Sequence, residues 1–332
     1  MALCAVAAGV FTFWYVDRGS SPVVPARTAH PSNQLDLLVL GDWGYGKRSS
    51  ALRPTADRAA HYSASYDIAF DAAILAGDNF YGDLSGGVLD GRWKREFEEP
   101  LARVFQMPFY AALGNHDYRS NNLAAEFEYA RQNPNGHWKL PSKWYAVDLP
   151  TKNPVATVLV LDSNIGRLTP DEQRTQLAWL ESQLAAATSS VWRIVVAHHP
   201  LFSNGNNPED KYLIGNWGRL FKEHRVDFYI CGHDHSLQHL EVAGWPTSFL
   251  VSAGGGAKLQ PIRSASYGPF SRSVHGFLHL RLGPDEALGT FVSVDGAVVH
   301  QFARSRSGTV RVLLSTGRDK PQPKKEGPEE EQ

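Results

Sequence analysis

The feature that most constrains this chain is one arrangement repeated five times. An apolar run ends in glycine or another small residue and then meets a cluster of Asp, Asn or His. The five are LDLLVLGDWG (35–44), DAAILAGDNFYGD (71–83), FYAALGNHD (109–117), WRIVVAHHP (192–200) and VDFYICGHDH (226–235). Short apolar runs of this kind read as strands buried on both faces. Their polar clusters then fall at the strands' C-terminal ends, where open α/β sheets build their sites.

Helical signals lie between the runs. Residues 51–70 carry Ala51, Leu52, Ala59, Ala60 and Ile68, and residues 88–106 carry Val88, Trp93, Phe97, Leu101 and Phe105 at near-helical spacing. The stretch 169–187 has Thr169 to cap, Pro170 for the first turn and Glu172 to complete a capping box, with Leu177, Leu180 and Leu184 as its apolar stripe. LFKEHRVD (220–227) closes another helix. Strands are predicted at 247–255, 277–282, 289–294, 297–303 and 309–314, with Asp295-Gly296 as a type I′ hairpin turn. The stretches 119–145 and 257–275 read as loops. Helices with strands early and hairpins late predict two sheets meeting in one α/β domain over 35–317.

The ends differ from this body. Residues 1–16, MALCAVAAGVFTFWYV, are apolar but shorter than the roughly 20 residues a spanning helix needs. With the small-residue stretch up to Ala26, residues 1–26 read as a secretory signal, a short membrane anchor being the alternative, and 27–34 as a linker. Residues 318–332 hold four basic and five acidic side chains and no large apolar one, so they predict a disordered tail. Only two cysteines, Cys4 and Cys231, exclude a disulfide scaffold and a four-Cys zinc site. A formal charge of −1 without a basic stripe gives no case for nucleic-acid binding.

Seven residues at the five run ends are candidate metal ligands: Asp42, Asp78, Tyr81, Asn115, His198, His233 and His235. Carboxylate, amide oxygen and imidazole together suit hard to borderline ions. Seven ligands exceed what one ion with open positions uses, and Asp78 is placed to bridge two. Two ions about 3.5–4 Å apart can clamp a phosphoryl group and ionise water. Tyr81 reads either as a ligand, which at neutral or acid pH calls for a strong Lewis acid such as ferric iron, or as a hydrogen-bonded hydroxyl. His116 could protonate a leaving alkoxide or steady a phosphate oxygen, with Asp117 orienting its other nitrogen. His199 adjoins His198 and should point the other way, leaving packing and substrate contact both open. Cys231 reads as a small buried hydrophobe. The other histidines read as structural or surface residues, His239 and His275 being the more open cases.

GDWG (41–44), GDNFY (77–81), GNHD (114–117), AHHP (197–200) and GHDH (232–235) occur in the order of the calcineurin-like metallophosphoesterases. With the tyrosine of GDNFY, the chain resembles the small, mammalian-type purple acid phosphatases over roughly 35–303. The resemblance implies two mixed β-sheets packed as a sandwich and flanked by helices. It implies Fe(III) held by Asp42, Asp78, Tyr81 and His235, and a divalent Fe, Zn or Mn held by Asp78, Asn115, His198 and His233. His116 matches the family's substrate-facing histidine. The implied activity is hydrolysis of phosphate monoesters in acid, on small phosphomonoesters or phosphoproteins, in a secreted or endomembrane, lysosome-like setting. We expect a monomer, with N-terminal membrane contact as a further option.

The chain departs from the family at several points. His199 stands where the family's GHYP has tyrosine. Asn207 stands where mammalian-type enzymes carry a second substrate-region histidine, so either Asn207 is a neutral donor or His199 takes that role. The paired cysteines are missing, and the exposed regulatory loop is not recognisable at 148–158.

Overall fold

The computed structural model describes residues 33–46, 51–187, 191–207 and 209–323. The signal or anchor at 1–26 and most of the 27–34 linker lie outside these residues.

The first and second apolar runs form β1 (Leu35–Leu40) and β2 (Ala72–Leu75). The third gives β3 (Phe109–Ala111), and Trp138–Lys139 adds a short β4. These four strands are mutually parallel. On the other side of β1, the late strands β12 (Gly276–Leu282), β13 (Glu286–Ser293), β14 (Val298–Ser305) and β15 (Val310–Ser315) continue the sheet antiparallel, in the order β15-β14-β13-β12-β1-β2-β3-β4.

The second sheet is built on the fourth and fifth runs, β7 (Trp192–Val196) and β8 (Phe228–Cys231). It adds β5 (Tyr145–Leu149), β6 (Ala156–Val160), β9 (Leu237–Glu241), β10 (Ser248–Ser252) and β11 (Gly268–Arg272), in the order β11-β9-β10-β8-β7-β6-β5. Its centre, β6-β7-β8-β10, is parallel. Both sheets are therefore mixed, as expected.

Alternation along these strands divides the core. Val158, Val160, Ile194, Val196, Phe228 and Ile230 join the first sheet's core, while Leu159, Val195, Tyr229 and Phe249 face outward. That outer face is covered by α3 (Pro170–Ala186), through Leu180 and Leu184, and by α4 (Lys211–Glu223), through Leu213, Trp217, Leu220 and Phe221. Burial on both faces explains why these strands read as continuous apolar runs. The predicted capping box is present: Thr169 Oγ1 accepts from the Glu172 N–H, and Glu172 accepts from the Thr169 N–H. α1 (Leu52–Ser65) lies within the predicted 51–70.

Several expectations need correction. The 88–106 helix is a π-helix over Trp93–Ala102, since Pro100 has no N–H to give an α ladder; the Arg103 N–H reaches back five residues to Glu98 O. The 119–145 stretch holds α2 (Asn122–Gln132) as well as β4. The Asp295-Gly296 hairpin is not type I′. The Gly296 N–H donates to Ser293 O, and of the pair only Gly296 has positive φ, at 93°. Residues 148–158 are the ends of β5 and β6 with a short connection between them. The chain beyond 317 is not wholly tail. Arg318–Pro323 lies along the 262–273 segment, with the Gln322 N–H on Ile262 O (2.8 Å), Arg263 Nη1 on Pro323 O (2.6 Å) and the Asp319 N–H on Ser271 O (2.9 Å). Residues 324–332 lie outside the described residues.

Candidate metal centre

Asp42 follows β1, Asp78 and Tyr81 follow β2, and Asn115 and His116 follow β3, so three loops come from the first sheet. His198 follows β7, and His233 and His235 follow β8, so two come from the second. The sheets are tied together here: the Gly41 N–H donates to Ser252 O (2.7 Å), and His198 Nδ1 lies 2.9 Å from Ala76 O.

All seven predicted ligands converge, in two triangles. In the first, Asp42 Oδ1, Tyr81 Oη and His235 Nε2 are 2.9–3.2 Å apart. In the second, Asn115 Oδ1, His198 Nε2 and His233 Nδ1 are 3.1–3.3 Å apart. Asp78 touches both: Oδ2 is 3.4 Å from His198 Nε2, and ligand atoms of Asp42, Asp78 and His235 lie within 4.8 Å of one another.

The backbone is bent to achieve this. Asp42, Asp78 and His233 adopt left-handed conformations with φ of 57°, 50° and 71°, which cost energy for residues with a Cβ. Glycines let the loops close. A Cβ on Gly114 would stand 2.2 Å from Asp78 Oδ1, and one on Gly232 would stand 2.5 Å from Asp42 Oδ2.

The proton count shows that these residues fit a cation. His198 Nδ1 and His235 Nδ1 face the carbonyls of Ala76 and Lys258, which only accept, so both carry protons there and turn Nε2 inward as the atom that can bind an ion. Asn115 Oδ1 and the carboxylates add further lone pairs. Too few protons remain to separate the converging acceptors, which is the environment a positive ion satisfies.

The electrostatics agree. Burial alone would raise the Asp78 carboxyl, but His198 and His116 hold it far below the ordinary carboxylate range. Burial would lower His198, yet Asp78 carries it up to about 10. Burial, then Asp42 and Asp78, push the Tyr81 phenol well above 10. Without an ion, the site holds a proton on His198; a cation would take its place.

The neighbouring predictions fare unequally. The His116 ring packs 4.1 Å from that of Tyr81, with Nε2 3.9 Å from Asp78 Oδ2. Asp117 does not orient it. Asp117 is fully buried and accepts from the N–H groups of Asn79 (2.8 Å), Phe80 (3.1 Å) and Gly114 (2.7 Å), so it staples two ligand loops together. Burial, with Asp78 nearby, raises its carboxyl to about 7. One N–H of the Asn207 side-chain amide is given to Asp234 Oδ1 at 2.7 Å. His199 does not turn away, since its ring lies 4.5 Å from that of His233 and 5.1 Å from that of His198.

Sequence reasoning missed the supports contributed by α2. Asn122 and Glu126 share one helix face at i, i+4 spacing. Asn122 Nδ2 donates to Phe80 O and Gly82 O, and Glu126 Oε2 accepts from Asn79 Nδ2 at 3.1 Å, so both hold the loop that carries Tyr81. The i, i+4 pair was the one local signal for them.

The sequence model for calcineurin-like phosphoesterases matches residues 35–237. The chain belongs to the calcineurin-like phosphoesterase family. Within it, the chain sides with the purple acid phosphatases at moderate identity. It is 27% identical over 310 residues to tartrate-resistant acid phosphatase type 5 of Rattus norvegicus, covering 85% of this chain and 90% of that one. It is 29% identical over 316 residues to purple acid phosphatase 7 of Arabidopsis thaliana, covering 84% and 90%. In fold it is similar to GAP50, the anchor in the inner membrane complex of Plasmodium, with a TM-score of 0.69 and 22% identity over 87% of this chain and 92% of that one. Family and metal-ready cluster together make the protein a metal-dependent phosphoesterase acting on a small-molecule substrate. Among the described residues no helix is long and apolar enough to cross a membrane.

Proposed function

We propose that the protein is an acid phosphatase that hydrolyses phosphate monoesters at a dinuclear centre of Fe(III) and a divalent Fe, Zn or Mn. The observation that supports this reading is the pair of donor triangles sharing Asp78. The triangle of Asp42, Tyr81 and His235 would hold the ferric ion, because a phenol held so firmly to its proton becomes a ligand only for a strong Lewis acid. Asn115, His198 and His233 form a softer, neutral set suited to a divalent ion. When bound, such a pair neutralises phosphoryl charge and acidifies water.

The chain's own groups do the rest. His116 stands beside Asp78, where it would steady a phosphoryl oxygen or give a proton to the departing alkoxide. Asp117, Asn122 and Glu126 keep the ligand loops in place. We assign small phosphomonoesters or phosphoproteins as substrates. The apolar run 1–16 supports a secreted or endomembrane, lysosome-like location.

Metal analysis of freshly purified protein, its visible colour, and parallel assays on a phosphate monoester and a bis-ester test this reading. The expected result is iron plus one divalent metal, a purple tyrosinate–iron absorption and faster monoester hydrolysis. Colourless protein with full zinc or manganese would remove the iron. A bis-ester preference would overturn the monoesterase.

A further inference from the structure

The His199 ring is fixed by a residue that no motif contains. Ser163, four residues before the Arg167 that ends a short 3-10 turn, is buried, with 4% of its surface exposed. Its Oγ accepts from the His199 backbone N–H at 2.9 Å and lies 2.8 Å from His199 Nδ1. A backbone N–H can only donate, so it takes one of the hydroxyl's lone pairs. The hydroxyl's own proton then has a single acceptor among the described residues, His199 Nδ1. Were Nδ1 protonated instead, a buried O–H would be left unpaired, an arrangement folded proteins avoid. The ring proton therefore sits on Nε2.

The rest of His199 is equally constrained. Its carbonyl accepts from Tyr229 Oη at 2.6 Å, and its ring leans on those of His198 and His233. Nε2 has no partner among the described residues, and it is not among the polar atoms sealed from solvent. It is an N–H donor, oriented and unused, beside the Asn115–His198–His233 triangle.

We infer that Ser163 is a positioning residue that holds His199 as an Nε2–H donor to a phosphoryl oxygen of the substrate. This rests on the phosphate-ester reading above and adds how the anion is gripped. Tyrosine, which the resembled enzymes carry at this position, has no ring nitrogen for a serine to lock.

Two measurements test it. Nitrogen-15 NMR of the full-length chain loaded with zinc should show His199 Nδ1 unprotonated and Nε2 protonated; the opposite tautomer, or an even mixture, overturns the inference. Ser163→Ala should raise KM for a phosphomonoester and the inhibition constant of inorganic phosphate by about 5- to 10-fold, one hydrogen bond's worth, with kcat near that of the wild type. Ser163→Thr should restore both constants. If Ser163→Ala fails to fold, His199→Phe keeps the ring's bulk without the donor and should show the same rise. Unchanged constants in the folded variant overturn the inference. A wild-type protein inert toward monoesters would sink the parent reading, while the tautomer and the binding of inorganic phosphate would still decide this one.

Discussion

Two buried clusters in this molecule are made of nearly the same side chains, and only one of them is a site. At the metal centre, ligand atoms of Asp78, Asn115, His198 and His233 converge within 3.1–3.4 Å of their neighbours. Elsewhere in the first sheet, Asp36 on β1 meets His279 on β12, with Oδ1 2.7 Å from His279 Nε2 and 2.6 Å from Arg281 Nε. Tyr62 Oη stands 3.1 Å from His279 Nδ1. Here each contact has its proton: Tyr62 gives one to His279, and His279 and Arg281 each give one to Asp36. Burial would raise Asp36, but His279 and Arg281 bring it down to about 2; burial lowers His279, and burial lifts Tyr62 to about 12. An ionised carboxylate, a neutral imidazole and an intact phenol follow. Buried polarity alone thus marks nothing, whereas a surplus of acceptors over protons does.

The largest test of this contrast is at Asp78. Asp78→Ala should lower kcat/KM by roughly 1,000-fold or more and leave the protein short of metal. The metal-free variant should also melt below metal-free wild type, because Asp78 there pairs with the His198 proton (3.4 Å) and accepts from the His116 N–H (2.8 Å). Retained activity would break the comparison.

Asp36→Ala should do the reverse. Leaving His279 and Arg281 without their shared acceptor should cost about 3–5 kcal/mol in chemical denaturation. Metal content and kcat of the folded enzyme should be unchanged. Metal loss in this variant would mean that the two clusters are not separate.

A third cluster gives a pH-dependent effect, confined to acid. His239 lies between Glu241 Oε1 (2.7 Å) and His300 Nε2 (2.9 Å), while His300 Nδ1 is buried without a partner. Burial, aided by His239, holds His300 at about 3. The unfolded ring takes up a proton near 6.5, so this ring's contribution is complete above that pH. It is lost as the pH falls toward 3, at about 1.4 kcal/mol per pH unit. His300→Gln keeps a donor for His239 and should flatten the acid limb of the stability profile. An unchanged limb would show that His300 charges without penalty.

What the sequence revealed follows from the range of the signal. Ligands that end apolar runs are legible because run and ligand are adjacent, and the Thr169–Glu172 cap is equally local. β5, with the exposure of Ala146 and Asp148 interrupting its burial, gave no such signal, and neither did α2, whose buried face includes Asn122 and Glu126. Asp117 reaches Asn79 across 38 residues and Asn207 reaches Asp234 across 27, contacts that no spacing rule encodes. Ser163 likewise reaches His199 across 36 residues.

Every metal ligand is complete by His235, yet β1, which leads into Asp42, pairs on one side with β12 at 276–282. The loop that meets His235 through Lys258 and Gln260 is strapped down by residues 318–323. During synthesis the ribosome therefore releases all seven ligands well before the segments that close their surroundings. Donors thus emerge before the segments that wall them in.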